Sequence, residues 1–481
     1  MTRLVVGPFN RVEGDLEVTL DVEDGVVASA RVSTPLYRGF EQILVGRPAG
    51  DALVIAPRIC GICSVSQSMA AVAALRALGG VEPESNGVLA ANLAHAAENI
   101  ADHLTHFAVF FMPDFTRPVY AGRSWYEAAA TRYAAVSGTA AEEFLPARAR
   151  LLQIMGLVAG KWPHSLAFQP GGTTRTLDLG ARMRLRAILR DLRGFFERTV
   201  IGTGLDAFLA IATPDALAAY AEAGRGDLPA FLRIAADVGL DRLGPGPGPL
   251  ASFGAYHGDG GPLFAAGSFD AATGFAPLDP DRIAEDVTHA SMRGAGAVHP
   301  ARGDTVPDVD KADGYSFAKA PRLGGRPAEV GALARQAVDG QPLIRALLAR
   351  DGGSRVTTRI LARMVEIARL LPAMEGWVSS LDPSAPFCAD GRLPTDGVGE
   401  GLVEAARGAL GHWIAVRGGK LSHYQIVAPT TWNFSPRDAA GVPGPLEGAL
   451  EGTVVGAEGA GSVAVQHVVR SFDPCMVCTA H

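Results

Sequence analysis

The sequence Asp473-Pro474-Cys475-Met476-Val477-Cys478-Thr479-Ala480-His481 ends the chain and contains two of its five cysteines. A second Cys-x-x-Cys pair lies far upstream, in Arg58-Ile59-Cys60-Gly61-Ile62-Cys63. The end of a chain usually frays unless something holds it in place. A metal bound by all four sulfurs would do so, because two thiols separated by two residues can face the same ion.

The spacing of the four thiols leaves three explanations open. A structural zinc site is the usual meaning of two Cys-x-x-Cys pairs, although such pairs normally lie within one short module. Four buried thiols can also pack without any metal, since free cysteine behaves as a small hydrophobic residue. The third explanation is a catalytic or redox metal.

The composition restricts the class of protein. The 481 residues are 48% hydrophobic and 19% charged, which is enough for a large core. The net charge of −7 argues against nucleic acid and anionic membranes as partners. No run of 18 apolar residues predicts a membrane span. Five cysteines do not make a disulfide scaffold, and the N-terminus has no signal-peptide pattern, so we expect a cytoplasmic protein.

Hydrophobic periodicity predicts a mainly α, α+β fold. Alternating residues at 16–22 and 26–32 predict an N-terminal β-hairpin. Helical spacing recurs at 66–78, 87–111, 182–199, 214–224, 328–350 and 354–374, and the stretch from 421 onward is expected to mix short strands and turns. We expect a helical-bundle core with peripheral short strands, in one domain (1–481) whose lobes are an N-terminal hairpin region (1–60), a helical core (61–240), a loop-rich part (241–325) and a helical, metal-site part (326–481).

The predicted helix at 87–111 contains Asp102, His103 and His106. Histidines three residues apart could bind a metal. Buried histidines more often serve helix packing, with their ring nitrogens satisfied by hydrogen bonds, and we favour that interpretation for both.

A series of short motifs, in order along essentially the whole chain, resembles the large subunit of nickel–iron hydrogenases. The motifs are Arg11-Val12-Glu13-Gly14, Tyr37-Arg38-Gly39-Phe40-Glu41, Arg58-Ile59-Cys60-Gly61-Ile62-Cys63, Pro163-His164 with Gly171-Gly172, Lys319-Ala320-Pro321-Arg322, Glu404-Ala405-Ala406-Arg407-Gly408, Pro429-Thr430-Thr431-Trp432-Asn433 and the closing Asp473-Pro474-Cys475-x-x-Cys478-x-x-His481.

The resemblance implies cleavage of H2 to protons and electrons at a nickel–iron site. Cys63 and Cys478 would bridge nickel to an iron that carries carbon monoxide and cyanide ligands. Cys60 and Cys475 would bind nickel alone. Soft thiolates suit both metals. Cys475 would take the first proton and pass it to Glu13, whose pKa desolvation would raise.

The resemblance also implies residues around the metals. Arg407 would lie over their open face near one cyanide, held by Asp102 and Asp473 through charge-assisted bonds. Thr430 would donate to the other cyanide.

A second metal site, for magnesium (or calcium), is implied near the C-terminus. Its ligands would be Glu41, the carbonyl of Ile426 and His481, and a hard cation suits the two oxygen ligands. The fifth cysteine, Cys388, matches no motif, and we expect a packed thiol there. Since one cysteine cannot hold an iron–sulfur cluster, which needs about four, a partner small subunit would carry the clusters.

Three positions depart from the usual family pattern. Gln67 and Asp15 stand where histidines are usual, and Ala406 stands where proline is usual. Gln67 can hydrogen-bond to a sulfur but cannot carry charge. Many members also carry a C-terminal extension after the histidine, and this sequence stops at His481.

Gln67 and the missing extension resemble the hydrogen-sensing subgroup, which is cytoplasmic, turns over slowly and signals to a histidine kinase. A sensor is therefore our first hypothesis. The alternatives are a cytoplasmic uptake hydrogenase for energy conservation, a metal-free relative such as the quinone-side subunit of respiratory complex one, and a zinc-stapled binding protein. The four intact thiols count against the metal-free relative.

Overall fold

Long helices form the centre of the molecule, and short sheets lie around them. The computed structural model describes residues 2–246, 248–258, 260–456 and 459–481. The helices are α1 (Phe40–Leu44), α2 (Ala52–Ile55), α3 (Ser64–Gly79), α4 (Ser85–Thr105), α5 (Tyr126–Tyr133), α6 (Thr139–Val158), α7 (Leu179–Phe195), α8 (Leu205–Leu209), α9 (Pro214–Ala223), α10 (Asp227–Val238), α11 (Ala332–Val338), α12 (Pro342–Asp351), α13 (Val356–Ser380), α14 (Pro429–Asn433), α15 (Pro445–Leu450) and α16 (Val463–Ser471). The mainly α, α+β class is confirmed.

The strands form small sheets in the order β1-β2-β3, β4-β5, β12-β6-β7-β8, β10-β9-β11 and β13-β14-β15. Their bounds are β1 (Thr2–Val6), β2 (Glu17–Glu23), β3 (Val26–Ser33), β4 (Phe168–Gln169), β5 (Gly172–Thr173), β6 (Leu250–Gly258), β7 (Gly261–Asp270), β8 (Gly274–Ala276), β9 (Ile283–Asp286), β10 (Ala297–Val298), β11 (Ala320–Leu323), β12 (Glu329–Val330), β13 (Gly397–Ala405), β14 (Gly408–Arg417) and β15 (Lys420–Val427).

The predicted N-terminal hairpin is confirmed as β2 and β3. Its turn contains Asp24 (φ 50°) and Gly25 (φ 78°), and two successive residues with positive φ match the twist of a tight hairpin. Most apolar residues of both strands are buried, and a register shift after Asp21 interrupts the alternation. β1 pairs with the free edge of β2.

α4 and α13 form the centre of the helical core. They pack against each other, and α4 also contacts α6 and α3. Most residues of both helices are buried, which agrees with apolar residues on nearly every face. None of the helices in the described ranges has the length and apolarity needed to cross a bilayer.

The prediction of a single helix at 328–350 is wrong, because the structure has two helices there. α11 ends shortly before Gly340, which has φ 83°. α12 begins at Pro342, so its first turn contains the proline. A left-handed glycine followed by proline ends one helix and starts the next.

Several elements were not foreseen. The expected loop-rich part at 241–325 includes the long β6–β7 hairpin, whose strands are nine and ten residues. The β13–β14 hairpin and α6 were also missed, and the stretch after residue 421 contains α14, α15 and α16 besides β15. α3 packs against β13 and β14, and α14 packs against residues 476–478. This arrangement brings the two cysteine pairs together.

Candidate metal centre

The two Cys-x-x-Cys pairs meet in one buried pocket. The Sγ atoms of Cys60 and Cys475 are 3.6 Å apart, those of Cys63 and Cys478 are 3.3 Å apart, and those of Cys475 and Cys478 are 3.2 Å apart. All four residues are at most 8% exposed. These separations exceed a disulfide bond of about 2.05 Å, so the thiols are free. We call these four residues the cysteine pocket.

Local structure explains how each pair is presented. Cys60 follows a short 3-10 helix (Ala56–Ile59), and Cys63 stands immediately before α3. A helix N-terminus carries partial positive charge, which favours thiolate. Cys475 precedes the 3-10 turn Met476–Cys478 near the end of the chain.

Protein contacts also hold the two pairs together. The N–H of Met476 donates to the carbonyl of Glu13 at 2.7 Å. The guanidinium of Arg38 donates both to the carbonyl of Ile59, next to Cys60, and to the carbonyl of Val477. Arg38 belongs to one of the motifs in the sequence, but this role was not predicted from it.

The protonation of the four thiols is interdependent. Hydrogen bonds from Cys475 and Cys478 hold the pKa of Cys60 well below its ordinary value. Hydrogen bonds to Cys475 raise the pKa of Cys63 and of Cys478 well above it. Four thiolates this close repel one another, so they ionise together only when cations neutralise them. The donor set therefore suits soft metal ions.

Glu13 lies next to the pocket and is half-buried. Its backbone forms an isolated bridge with Cys475. Burial raises the pKa of the Glu13 carboxyl, and the negative charge of Cys60 adds to this, while Arg407 and Arg38 oppose it. A carboxyl with a raised pKa beside an ionising thiol can exchange a proton with it.

Arg407 lies between the two predicted aspartates. Its Nη2 donates to Asp102 Oδ1 at 2.8 Å and to Asp473 Oδ1 at 3.2 Å, and its Nε donates to the Asp473 carbonyl at 3.0 Å. Arg407 is 4% exposed. Attraction to Arg407 outweighs the cost of burial and lowers the pKa of Asp473. Burial raises the pKa of Asp102 well above its ordinary value, and Arg407 opposes this shift.

A buried ion-pair network holds the hairpin that carries Arg407. The guanidinium of Arg335 makes five hydrogen bonds, which use all of its N–H groups. They go to both carboxylate oxygens of Glu366 (2.8 and 2.7 Å), to Glu404 (2.6 Å) and to the carbonyls of Ala405 and Ala406 (2.8 and 3.0 Å).

The same hairpin needs glycine after Arg407. Gly408 has φ 127°, and a Cβ there would lie 2.6 Å from the N of Gly331. The roles of Arg335 and Glu366 were not predicted. Both are charged residues in helices whose residues are mostly buried, and charge in a helix does not by itself indicate a buried ion pair.

Two further predicted residues lie at the pocket. Thr430 Oγ1 accepts a hydrogen bond from the N–H of Cys475 at 3.4 Å. Gln67 lies one helical turn after Cys63, and its Oε1 is 2.9 Å from His412 Nε2. Gln67 Nε2 is buried and has no hydrogen-bond partner within the described ranges.

The residues expected to hold a hard cation also meet. His481 Nε2 lies 2.9 Å from the Ile426 carbonyl and 3.7 Å from Glu41 Oε1. The N–H of Ile426 donates to Glu41 Oε1 at 2.9 Å. The attraction of the Lys319 charge outweighs the cost of burying the Glu41 carboxylate and lowers the pKa of Glu41 to about 2. A cavity of about 10 Å³ adjoins them.

The two helix histidines are buried in the helical core, as the packing interpretation expects, but only one ring nitrogen of each is hydrogen-bonded among the described residues. His103 Nε2 lies 3.0 Å from Glu366, and His106 Nε2 lies 2.7 Å from the Arg470 carbonyl. Cys388 lies outside the cysteine pocket, but it is partly exposed rather than packed. Of the departures from the family pattern, Asp15 is exposed, and Ala406 is buried with its carbonyl bound to Arg335.

Comparisons with known proteins agree with this geometry. The family model described as nickel-dependent hydrogenase matches residues 38–143 and 257–481. The periplasmic [NiFeSe] hydrogenase large subunit of Desulfomicrobium baculatum is 31% identical, and the alignment covers 100% of this chain and 95% of that protein. The hydrogenase-1 large chain of Escherichia coli K12 is 26% identical, with coverage of 100% and 95%.

Solved structures show the same likeness. The [NiFeSe] hydrogenase of Dm. baculatum superposes with a TM-score of 0.85 at 28% identity, covering 100% of both chains. The Ni-Fe-Se hydrogenase of D. vulgaris Hildenborough gives the same score, identity and coverage.

Proposed function

The chain belongs to the nickel-dependent hydrogenase family, and from this premise we propose that its cysteine pocket cleaves dihydrogen and passes the electrons to an iron–sulfur small subunit. The observation that carries the proposal is the convergence of two cysteine pairs 415 residues apart to Sγ separations of 3.3 and 3.6 Å. The enzyme is an oxidoreductase, a hydrogenase large subunit with nickel and iron at its active site.

The residues of the pocket fit that metal pair. Four free thiols supply soft ligands, and the buried N–H groups of Gln67 have no acceptor among the described residues, which a metal-bound thiolate would provide. Cys60 and Cys475 would hold nickel, and Cys63 and Cys478 would hold nickel and iron together. When bound, the metals supply the Lewis acid that heterolytic cleavage of dihydrogen needs.

Cys475 and Glu13 carry the proton that cleavage releases. The Cys475 thiolate accepts it at Sγ, and the Glu13 carboxylate then takes it toward solvent. The backbone bridge between the two residues supports this order, because it fixes Glu13 beside the Cys475 segment. Because the pKa of the Glu13 carboxyl is raised, it lies closer to the pKa of the Cys475 thiol. The smaller difference lowers the free-energy cost of the proton transfer.

Arg407 and Thr430 would donate hydrogen bonds to the small ligands of an iron held there, which we propose are carbon monoxide and cyanide. Asp102 and Asp473 hold the guanidinium from two sides, so its remaining donors have a fixed direction. Thr430 already accepts from the N–H of Cys475, which leaves its hydroxyl proton for another acceptor.

Glu41, the Ile426 carbonyl and His481 would hold magnesium (or calcium). Glu41 is ionised, and Lys319 beside it is balanced by Glu285 through a hydrogen-bonded ion pair. Such a cation would fix the residues that follow Cys478, since His481 Nδ1 also lies 3.0 Å from the Cys478 carbonyl.

Metal analysis and infrared spectroscopy test the proposal. The purified two-subunit protein should contain nickel and iron in the cysteine pocket and show stretching bands of metal-bound carbon monoxide and cyanide. Zinc in place of both metals, with no such bands, would overturn it in favour of a zinc-stapled binding protein.

We propose hydrogen sensing as a second candidate role for the same chemistry, ahead of energy-conserving uptake in the cytoplasm. The observation that favours it is Gln67, which places an amide that cannot ionise one turn after Cys63. A sensor should turn over slowly and bind a histidine kinase. Deletion of the gene should abolish hydrogen-dependent transcription; fast turnover with unchanged transcription would exclude this role.

A further inference from the structure

Gln67, His412 and Tyr424 form a chain of three buried side chains that ends at the cysteine pocket. His412 Nδ1 lies 2.8 Å from the Tyr424 hydroxyl, and His412 Nε2 lies 2.9 Å from Gln67 Oε1. All three residues are at most 1% exposed. Their hydrogen bonds must therefore be satisfied inside the protein.

The hydroxyl of Tyr424 fixes the direction of this chain. A buried hydroxyl needs an acceptor inside the protein for its O–H. Its one hydrogen-bond partner among the described side chains is His412 Nδ1, which therefore accepts a hydrogen bond from it. In a neutral imidazole whose Nδ1 accepts, the single N–H is on Nε2. This N–H then donates to Gln67 Oε1.

The amide of Gln67 is thereby oriented. With Oε1 bound to His412, the N–H groups on Nε2 face away from it and meet no acceptor among the residues that the structure describes. Gln67 is four residues after Cys63, and its N–H donates to the Cys63 carbonyl at 3.0 Å. Side chains four residues apart share a helix face and tilt toward its N-terminus, where Cys63 lies.

We propose that His412 and Tyr424 are positioning residues that keep the Gln67 amide N–H groups directed at the thiolates of the cysteine pocket. The opposite orientation would turn the lone pairs of Oε1 toward negatively charged sulfur. The inference rests on the proposed function in one respect, namely that the thiolates are metal-bound and accept hydrogen bonds.

The test is a set of variants of the complete two-subunit enzyme, read by infrared spectroscopy. His412→Leu removes the donor to Oε1, so the amide can rotate and the N–H···S bond is lost. More electron density then remains on the metals, and the carbon monoxide band should broaden and shift to lower wavenumber. His412→Gln supplies an N–H near the position of Nε2 and should restore the wild-type band.

A double variant separates positioning from a general structural effect. In a Gln67→Leu background, His412→Leu should cause no additional shift, because its effect passes through Gln67. His423→Leu is the matched control, since it removes a histidine from the same sheet whose partner is the Pro300 carbonyl. It should leave the band unchanged.

The outcomes are distinct. An unchanged band in His412→Leu, or the same shift with and without Gln67, overturns the inference and leaves the proposed function intact. A wild-type enzyme without nickel or the band overturns both. If His412→Leu does not fold, Tyr424→Phe replaces it; a smaller shift in the same direction, absent in the Gln67→Leu background, is then the expected result.

Discussion

Among single residues, Glu13 gives the sharpest test of the proton path. Glu13→Gln keeps the shape of the side chain but removes its ability to bind and release a proton. We expect hydrogen–deuterium exchange to fall by about 10²–10⁴-fold, as for loss of a general acid–base, while nickel and iron stay bound. Glu17→Gln, an exposed carboxyl on β2, is the control. Exchange at the wild-type rate in Glu13→Gln would exclude the path.

Cys475 and Cys388 form a second comparison at the same scale. Cys475→Ser replaces a soft ligand with a hard one, so nickel should be lost from the purified protein. Cys388→Ser should keep its full metal content, because Cys388 lies outside the cysteine pocket and its Sγ faces the Ala389 carbonyl. Equal nickel in the two variants would mean that the assignment of ligands is wrong.

Among the elements, the β13–β14 hairpin depends on one guanidinium. Arg335→Lys keeps the charge but cannot reach both carbonyls and both carboxylates together. We expect activity to fall by up to about 10²-fold through misplacement of Arg407, with metal content unchanged. Arg345→Lys is the matched control, since Arg345 also binds two carbonyls, those of Ala337 and Val338. Full activity in Arg335→Lys would show that the clamp does not position Arg407.

Helix α3 begins directly after Cys63, and a residue from α4 satisfies its first N–H groups. Glu98 accepts from the N–H groups of Val65 and Ser66 at 2.8 and 2.9 Å and from Trp162 Nε1 at 3.0 Å. In Glu98→Gln, the side-chain NH2 group replaces one carboxylate oxygen and faces an N–H group that this oxygen accepted, so that N–H group loses its acceptor. Leaving a buried donor unpaired costs about 1–3 kcal/mol.

An unfolding entropy of about 2.1 cal/mol/K per residue amounts to about 1 kcal/mol/K for a chain of 481 residues, so that loss should lower the melting temperature by roughly 1–3 °C. Differential scanning calorimetry of the complete enzyme measures it. Glu142→Gln, in the exposed first turn of α6, should leave the transition where it is. A fall of the same size in both variants would remove the argument for Glu98.

At the scale of the whole molecule, the electrons released from dihydrogen need an acceptor. Four of the five cysteines occupy one pocket, and the remaining one cannot hold an iron–sulfur cluster. The purified chain alone should reduce no dye with dihydrogen, and addition of the small subunit should restore reduction. Dye reduction by the chain alone would contradict the need for a partner.

Motifs and periodicity predicted much of this molecule, and long-range pairing explains what they missed. The spacing of apolar residues was enough for α4 and α13, because apolar residues recur at helical spacing along both. It was not enough for β13, whose glycines at 397, 399 and 401 permit close contact with α3 and weaken the strand pattern. The site roles carried over from the family remain predictions, although the structure brings their residues together.

Buried charged residues were the second feature that could not be predicted from the sequence. Arg335, Glu366 and Glu404 are fully buried, whereas a charged residue in a sequence is normally assigned to the surface. Only the three-dimensional arrangement reveals that they neutralise one another. The expectation that a metal must tie down the C-terminal cysteines was also incomplete, because Arg38 and Glu13 bind that segment directly.

The 415 residues that separate each sulfur from its nearest partner in the other pair have a consequence during synthesis. At about 5–20 residues per second, a ribosome needs roughly 20–80 s to make that length. Throughout that interval Cys60 and Cys63 are a bare two-sulfur motif in a nascent polypeptide. Any ion captured then meets half of its ligands, so correct loading has to wait until Cys475 and Cys478 have been made, and the cell must keep the early pair reduced and unoccupied until then.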